Sequence, residues 1–254
     1  MIESVKVRRI REGNSESIDD DVAVEIPLTL VINEKELVTL LCSPSEIEDL
    51  VTGFLFTSGL IMKIEDIKGL VIDEQRWSVY LDLVQADTGM VFKRLYTAGC
   101  GRGTLFYNAF DLISRQKIIC DFKIKAQEIN ALMIAFQKQS EVYLKTGGVH
   151  SAALADKERI LIFKEDIGRH NAIDKIIGQG LKSSIPFENK VIISSGRISS
   201  DLLLKAKKCN IPMVISRSAP TNQAIKLAKE MGITLVGFAR GSRMNIYSEE
   251  DRVA

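Results

Sequence analysis

Alternating apolar and polar residues run through much of the first hundred residues, a pattern typical of half-buried β-strands. It occurs in the stretches 21–32, 37–41 and 77–83, and Asn33-Glu34-Lys35 is a turn sequence between the first two. One amphipathic helix interrupts these strands. Its apolar stripe consists of Ile47, Leu50, Val51 and Phe54. The pattern predicts a β-rich α+β unit.

The ends of this helix carry their own signals. Ser43 precedes Pro44, and Glu46 follows three residues after Ser43, which is the spacing of a capping box with proline at the first helical position. Gly59 follows the apolar stripe. The sequence therefore predicts a helix that begins at Pro44 and ends at Gly59.

A different pattern begins near residue 120, where short apolar runs alternate with amphipathic helical stretches. The apolar runs are residues 160–163, 191–193, 213–215 and 233–236. Helices are predicted near 170–181, near 199–209 and from Thr221 to Gly232, after an earlier one with its stripe at 129–136. Short, continuous apolar strands separated by such helices indicate a mostly parallel sheet covered on both faces.

A chain of 254 residues is long enough for two domains. We predict an α/β protein with a smaller, β-rich N-terminal domain over residues 1–120 and an α/β domain over 121–254. The hydrophobic fraction of 46% and the charged fraction of 26% exclude a disordered or coiled-coil chain. Without an 18-residue apolar run or an apolar N-terminal signal, we expect a cytoplasmic protein with no membrane span. Four cysteines without a close pair also favour a reducing compartment.

Charge is unevenly distributed along the chain. The net charge is +1, yet residues 196–243 contain nine Lys or Arg and two Asp or Glu. This basic segment predicts an anionic ligand, although lysine-rich, solvated helix faces would give the same composition. The aromatic content of 6% argues against nucleic acid as that ligand, because base stacking needs aromatic side chains.

A polar loop follows each predicted strand of the second domain. These loops are residues 165–171, 194–199, 216–221 and 237–243. The carboxyl ends of parallel strands meet at one edge, where such folds bind ligands and helix N-termini offer free N–H groups. Each loop contains an arginine, whose planar fork suits phosphate. We predict a phosphate-bearing ligand such as a nucleotide, with Arg169, His170, Arg197 and Arg217 among its contacts.

Cys100 is the candidate reactive residue. It lies in the stretch 96–104, where glycines at 99, 101 and 103 and Arg102 surround it. Glycine permits backbone angles that other residues avoid, and a nearby cation favours the reactive thiolate. The pattern predicts a nucleophile or a sulfur carrier, and a glycine turn with an incidental cysteine is the alternative.

The remaining cysteines and the histidines do not indicate a metal centre. Cys42, Cys120 and Cys209 lie in or beside apolar stretches, and we expect them to be buried. A structural zinc site needs closely spaced pairs of Cys or His ligands, which are missing here, so we expect no protein-bound metal. His150 has two open interpretations, a structural histidine or a member of the site.

Six motifs make the chain resemble the FdhD family, the formate dehydrogenase accessory sulfurtransferases. They are Gly99–Gly101, Thr146–Ala152, Glu165–Ala172, Ser194–Arg197, Ser216–Thr221 and Gly237–Arg240. The resemblance extends over nearly the whole chain. Several long motifs in the same order are far more specific than any single short pattern.

The resemblance implies a sulfur carrier that accepts sulfur from a cysteine desulfurase as a cysteine persulfide. The acceptor would be the molybdenum (or tungsten) bis-guanine-dinucleotide cofactor that formate dehydrogenase requires. Cys100 matches the family's persulfide cysteine. The family's cofactor-binding segment matches Phe238, Ala239, Arg240, Gly241, Ser242 and Arg243. A homodimer, a bound GDP-like nucleotide and a cytidine-deaminase-like, three-layer C-terminal domain are also implied.

Gly103 departs from the family pattern, because many members have a second cysteine three residues after the first. Cys100 would then act alone or with a distant thiol. The chief alternative function is a non-catalytic chaperone that binds and delivers the guanine-dinucleotide cofactor. A zinc-dependent nucleotide deaminase is a weaker alternative that rests on fold analogy. Its His-x-Glu motif is missing, since Ser151 and Ala152 follow His150.

Overall fold

The computed structural model of the protein describes residues 1–84 and 117–254. These ranges form three β-sheets and six α-helices. The strands are β1 (Ile2–Arg11), β2 (Asn14–Ala23), β3 (Ile26–Ile32), β4 (Lys35–Cys42), β5 (Ile67–Asp73), β6 (Ser78–Leu83), β7 (His150–Ala155), β8 (Ile160–Asp166), β9 (Val191–Ser194), β10 (Met213–Ser216), β11 (Thr234–Arg240) and β12 (Arg243–Ser248). The helices are α1 (Ile47–Thr57), α2 (Ala126–Lys138), α3 (Glu141–Thr146), α4 (Arg169–Lys182), α5 (Ser200–Lys208) and α6 (Asn222–Met231). Among these helices, none has the length and apolar character needed to span a membrane.

In residues 1–84, the N-terminal unit consists of six strands and one α-helix. β1 and β2 form a separate antiparallel hairpin in which no residue is fully buried. The other four strands form a sheet in the order β4-β3-β6-β5. Alternate residues of these strands pack with the apolar stripe of α1 in one core, which includes Leu28, Leu30, Leu50, Val51 and Val79. Within residues 1–84, the predicted strands and the one amphipathic helix among them are confirmed.

The second unit contains a six-stranded sheet in the order β12-β11-β10-β9-β7-β8. β9, β10 and β11 are parallel to one another, and β8 has the same direction because β7 is antiparallel to both β8 and β9. The sheet is therefore mixed, with four strands in one direction and β7 and β12 reversed. The prediction of a mostly parallel sheet did not include β7 and β12. Short hairpin loops join β7 to β8 and β11 to β12, so each pair is antiparallel.

Helices cover both faces of this sheet. Buried residues of α4, α5 and α6 pack on one face, with Ile173, Leu203 and Ala228 fully buried there. On the other face lies α2, whose Ile129 and Phe136 pack against Val191 and Ile193. The three-layer arrangement is confirmed, and the narrower expectation of a cytidine-deaminase-like domain stays a prediction.

Helix α1 begins three residues later than predicted, at Ile47 rather than Pro44. The Ser43 hydroxyl does not cap it but accepts a hydrogen bond from the backbone N–H of Ile167 (3.1 Å). Glu46 adopts a left-handed conformation with φ 54° and pairs its carboxylate with Lys164. Contacts with the second unit thus replace the local capping box.

The two units join where α1 crosses α4. The backbones meet at Gly53 and Gly178, because a Cβ atom at either position would overlap the carbonyl group of Asp174 or Asp49 on the facing helix. Glycine is needed here for close approach of two helices. Ile118 packs with the helices of the second unit, on the N-terminal side of the predicted boundary at 120/121. That boundary stays a prediction.

Buried ion pairs surround this helix crossing. Lys164 contacts Asp49 at 2.9 Å, and Lys182 contacts the same carboxylate at 2.9 Å. On the other side of the crossing, Lys205 contacts Asp174 at 2.7 Å, and both side chains are more than nine-tenths buried. Breaking such a pair leaves an uncompensated charge in a low-dielectric interior, so these ion pairs help to keep α1, α4 and α5 together.

Candidate functional site

The four polar loops lie at one edge of the six-stranded sheet, as predicted. The edge is shared because β8, β9, β10 and β11 have the same direction. Hydrogen bonds connect the loops into a continuous surface. The Ser216 hydroxyl donates to the Gly196 carbonyl (2.6 Å), and the Phe238 N–H donates to the Ser218 carbonyl (3.1 Å). We call the surface formed by residues 165–171, 194–199, 216–221 and 237–243, with His150, the arginine edge.

Arginines of this edge are held by backbone and ring contacts. Arg240 Nε donates to the Arg217 carbonyl at 3.0 Å, and the Arg243 guanidinium lies 5.9 Å from the centre of the Phe238 ring. Within residues 1–84 and 117–254, no carboxylate forms an ion pair with Arg217, Arg240 or Arg243. Arg197, Arg240 and Arg243 are exposed. The charges of Arg240 and Arg243 are therefore available to an anion from solvent.

The segment 237–243 has an unusual backbone. Phe238 has φ 52°, a left-handed conformation that is uncommon for an aromatic residue, and Gly241 has φ 56° in the turn to β12. Strained residues of this kind cluster at ligand sites, where the surroundings enforce them. Ala239 is fully buried in the core, whereas Gly241 and Ser242 are exposed at the turn. Phe238 is half-buried, so part of its ring faces solvent.

His150 reaches the arginine edge because β7 is reversed. It is the first residue of β7 and is the register partner of Asp166, the last residue of β8. Its Nδ1 atom lies 3.2 Å from the Ser195 hydroxyl. Burial first, and then Arg169 and Arg197, lower the pKa of this imidazole, so it is neutral at pH 7. The sequence alone did not show whether His150 belongs to the site, because the direction of β7 was not predicted.

His170 is the second histidine at the edge. Its Nε2 atom lies 3.2 Å from the Ser199 hydroxyl and 3.3 Å from the Asp201 carboxylate. Burial lowers the pKa of His170 to about 4, and the Asp201 carboxylate offsets only part of that effect. Its side chain is 21% exposed. It is a neutral, positioned imidazole rather than a cation at pH 7.

Arg169 is held against the loop that follows β9. A Cβ atom at Gly196 would lie 3.0 Å from both Cβ and Cδ of Arg169 and 3.5 Å from Nδ1 of His150. A side chain at 196 would therefore press on Arg169, whereas its distance from His150 would be an ordinary van der Waals contact. Arg169 is also the first residue of α4, and no side chain caps that helix end. Gly196 is a site residue that the Ser-Ser-Gly-Arg motif could have indicated.

Asp166 has a structural role beneath the edge. It is fully buried, and its carboxylate accepts hydrogen bonds from the N–H groups of Ser43 (3.1 Å) and Gly168 (2.8 Å) and from Asn171 (2.9 Å). Lys175 contacts the same carboxylate at 2.8 Å. Asp166 thus fixes the loop before α4 and attaches it to the N-terminal unit. Its hydrogen-bonding capacity is used inside the protein.

Cys100, the predicted sulfur carrier, lies outside the described residues. Two other cysteines are unsuited to that role, as predicted. Cys42 and Cys209 are buried, and burial raises the pKa of both thiols, that of Cys42 to about 12. Cys120 is half-buried. Among the residues that the structure does describe, no three His, Cys, Asp or Glu side chains come together as metal ligands.

The fold and the edge together define a class of protein. It is a three-layer α/β protein whose sheet edge presents arginines and neutral histidines. The model of the FdhD/NarQ family matches residues 23–254, and the chain belongs to that family.

Relatives and a solved structure agree with this assignment. The chain is similar to the protein named sulfur carrier protein FdhD of Bacillus subtilis (strain 168), with 42% identity over 97% of this chain and 95% of that protein. The protein of the same name from Bacillus pumilus (strain SAFR-032) is also 42% identical, over 98% of both chains. A crystal structure described as that of a formate dehydrogenase accessory protein from Desulfotalea psychrophila has a TM-score of 0.81. It is 26% identical, over 100% of this chain and 99% of that one.

Proposed function

We propose that this protein is a sulfur carrier that transfers sulfur through Cys100 to a guanine-dinucleotide cofactor destined for formate dehydrogenase. The curated relatives bear the name sulfur carrier protein, and the solved structure is described as a formate dehydrogenase accessory protein. The single structural observation that supports the proposal is the arginine edge. Its arginine-bearing loops suit a ligand with several phosphates.

Sulfur loading requires a nucleophilic thiolate. In the proposed step, the Cys100 thiolate attacks the outer sulfur of a persulfide on a cysteine desulfurase. A new sulfur–sulfur bond forms at Cys100, and the donor cysteine leaves as a thiolate, so electrons and protons balance. Cys42 and Cys209 are poor candidates, since burial raises the pKa of each thiol.

Sulfur delivery differs from loading because it needs electrons. The outer sulfur of a persulfide must gain two electrons to become sulfide on the metal. Gly103 leaves no second thiol in the Cys100 stretch, so we propose that an external dithiol supplies those electrons and becomes a disulfide. The cofactor is the substrate here, and its metal needs no protein ligand.

The arginine edge would hold a guanine-nucleotide arm of that substrate. Arg197, Arg217, Arg240 and Arg243 supply positive charge, and guanidinium groups form paired hydrogen bonds with phosphate. The half-buried Phe238 ring, already contacted by Arg243, offers a flat apolar surface to a base. Both histidines are neutral at pH 7 in the free protein and add hydrogen-bonding groups to the edge. A homodimer remains a prediction.

Calorimetry with GDP tests the nucleotide part of the proposal. Arg240→Ala should weaken GDP binding at least about tenfold, the effect of losing a charge-assisted hydrogen bond. Lys229→Ala is the matched control, because this exposed lysine lies in the last turn of α6, away from the edge. Equal GDP affinity of both variants and the unsubstituted protein would remove the arginine edge from the site.

A further inference from the structure

The hydrogen bonds around His150 suit both protonation states of its ring. The Ser195 hydroxyl oxygen accepts a hydrogen bond from the Ser151 N–H (2.9 Å) and lies 3.2 Å from His150 Nδ1. Its hydroxyl hydrogen can donate to Nδ1 of a neutral ring, which places the ring hydrogen on Nε2. A protonated ring can instead donate from Nδ1 to the remaining lone pair of the same oxygen. No rearrangement of the backbone is needed for the change.

Charged groups face His150 from each neighbouring element. Arg169 and His170 face it from α4, Arg197 from the loop after β9, and Asp166 from β8. The Asp166 carboxylate is committed to Lys175 at 2.8 Å. Burial first, and then the two arginines, favour a neutral imidazole in the free protein. The negative charge of an anion bound at these arginines would offset their effect and favour the protonated ring.

The backbone keeps these groups together. Gly196 lies between His150 and Arg169, and a Cβ atom there would be in contact with both side chains. The Ser195 N–H donates to the Ser151 carbonyl at 3.0 Å, so the loop after β9 is fixed to β7 at this point. The contact with the Ser195 hydroxyl therefore keeps the His150 ring at this loop, beside Arg169 and Arg197. The protonation of His150 therefore depends on whether a negatively charged group is bound at these arginines.

We propose that His150 is a binding residue that takes up one proton when a nucleoside diphosphate binds at the arginine edge, and that the resulting imidazolium helps to hold the phosphates. This proposal rests on the nucleotide site of the proposed function. Its specific consequence is that the affinity for nucleotide depends on pH through the titration of His150. The binding step is linked to proton uptake, so affinity increases as pH falls.

Nuclear magnetic resonance of histidine-labelled protein can observe this proton directly. The chain has only two histidines, so the imidazole spectrum contains two sets of signals that His150→Asn and His170→Gln assign. GDP is the probe. The titration midpoint of His150 should move to higher pH when GDP is present. GDP binding that leaves the His150 midpoint unchanged, or moves only that of His170, would overturn the inference.

Calorimetry provides the matching affinity measurement. Between about pH 8 and about pH 6, the ratio of variant to unsubstituted dissociation constants should rise about tenfold for His150→Asn. The ratio cancels the titration of GDP itself, and asparagine preserves a hydrogen-bonding group near the Nδ1 position. A ratio that is constant over this pH range would contradict proton uptake by His150 but leave the proposed nucleotide site in place. Failure of GDP to bind the unsubstituted protein at any pH would overturn the nucleotide site and this inference together.

Discussion

Two regions of this molecule are rich in charged residues, and they use them in opposite ways. At the crossing of α1 and α4, lysines lie directly against carboxylates. The pairs include Lys164 with Asp49, Lys175 with Asp166, Lys182 with Glu48 and Lys205 with Asp174. At the arginine edge, Arg240 contacts a carbonyl oxygen and Arg243 contacts an aromatic ring. Carboxylates neutralise the lysine charges at the helix crossing, whereas the charges of Arg240 and Arg243 at the arginine edge are not neutralised by any carboxylate of the described residues.

Charge composition alone therefore does not locate a ligand site in this protein. Five of the nine basic residues in 196–243 are lysines of α5 and α6, helices that begin at the edge and extend away from it. Lys205 is buried in an ion pair. The remaining four are arginines of the edge loops. The local position of each cation, and not the net charge of the segment, supports the proposed site.

The largest loss of stability should come from placing a side chain between the crossing helices. In Gly178→Ala, the new Cβ would overlap the Asp49 carbonyl oxygen, and the helices would have to separate. We expect a loss of more than about 4 kcal/mol in the free energy of unfolding, or no folded protein. Urea unfolding measures this loss. Gly147→Ala is the control, with open space around it and a cost of about 1 kcal/mol from its φ of 64°. Equal stability of the two variants would contradict the account of the junction.

The second-largest loss of stability should come from breaking a single buried ion pair. Lys205→Met leaves the Asp174 carboxylate buried with one remaining side-chain donor, Thr57. We expect a loss of about 3–5 kcal/mol in the free energy of unfolding. The double variant Lys205→Met/Asp174→Leu should recover most of it, because no buried charge remains. If Lys205→Met alone were neutral, the junction would not depend on paired charge.

A smaller, pH-dependent effect is expected at the arginine edge. The pKa of His170 is about 4 in the folded protein, against 6.5 when unperturbed. The unfolded chain therefore binds the proton first, and stability falls as pH decreases from 6.5 to about 4. This residue should account for a loss of roughly 3 kcal/mol over that window. His170→Gln should remove this part of the pH dependence in thermal or urea unfolding. An identical pH profile for the variant would show that His170 is not a buried neutral imidazole.

Much of the fold follows from local sequence patterns. Apolar runs at 160–163, 191–193, 213–215 and 233–236 all form strands, and the loops after them meet at one edge. The reversed direction of β7 was missed, although it brings His150 to the site. The helix start at Pro44 was also wrong. Ser43 satisfies a capping pattern locally, but its hydrogen bonds go to the loop before α4 in the distant second unit. Long-range contacts of this kind leave no periodic signal in the sequence.

The site was predictable only in part for the same reason. Arginines in successive loops indicated an anion site because strand direction alone brings them together. Which cations are neutralised could not be inferred, since Asp174 lies on a different helix from Lys205 and only packing pairs them. The role of Gly196 depends equally on the approach of α4.

The most direct test of the proposed function is sulfur loading of the intact protein by a cysteine desulfurase and free cysteine, followed by mass spectrometry of peptides. The peptide with Cys100 should gain the mass of one sulfur atom and lose it on treatment with a thiol. Cys100→Ser should abolish this gain, and Cys120→Ser, the half-buried control, should retain it. Absence of sulfur on Cys100, or loading of another cysteine with Cys100 unmodified, would contradict the account and favour a chaperone that only binds and delivers the cofactor.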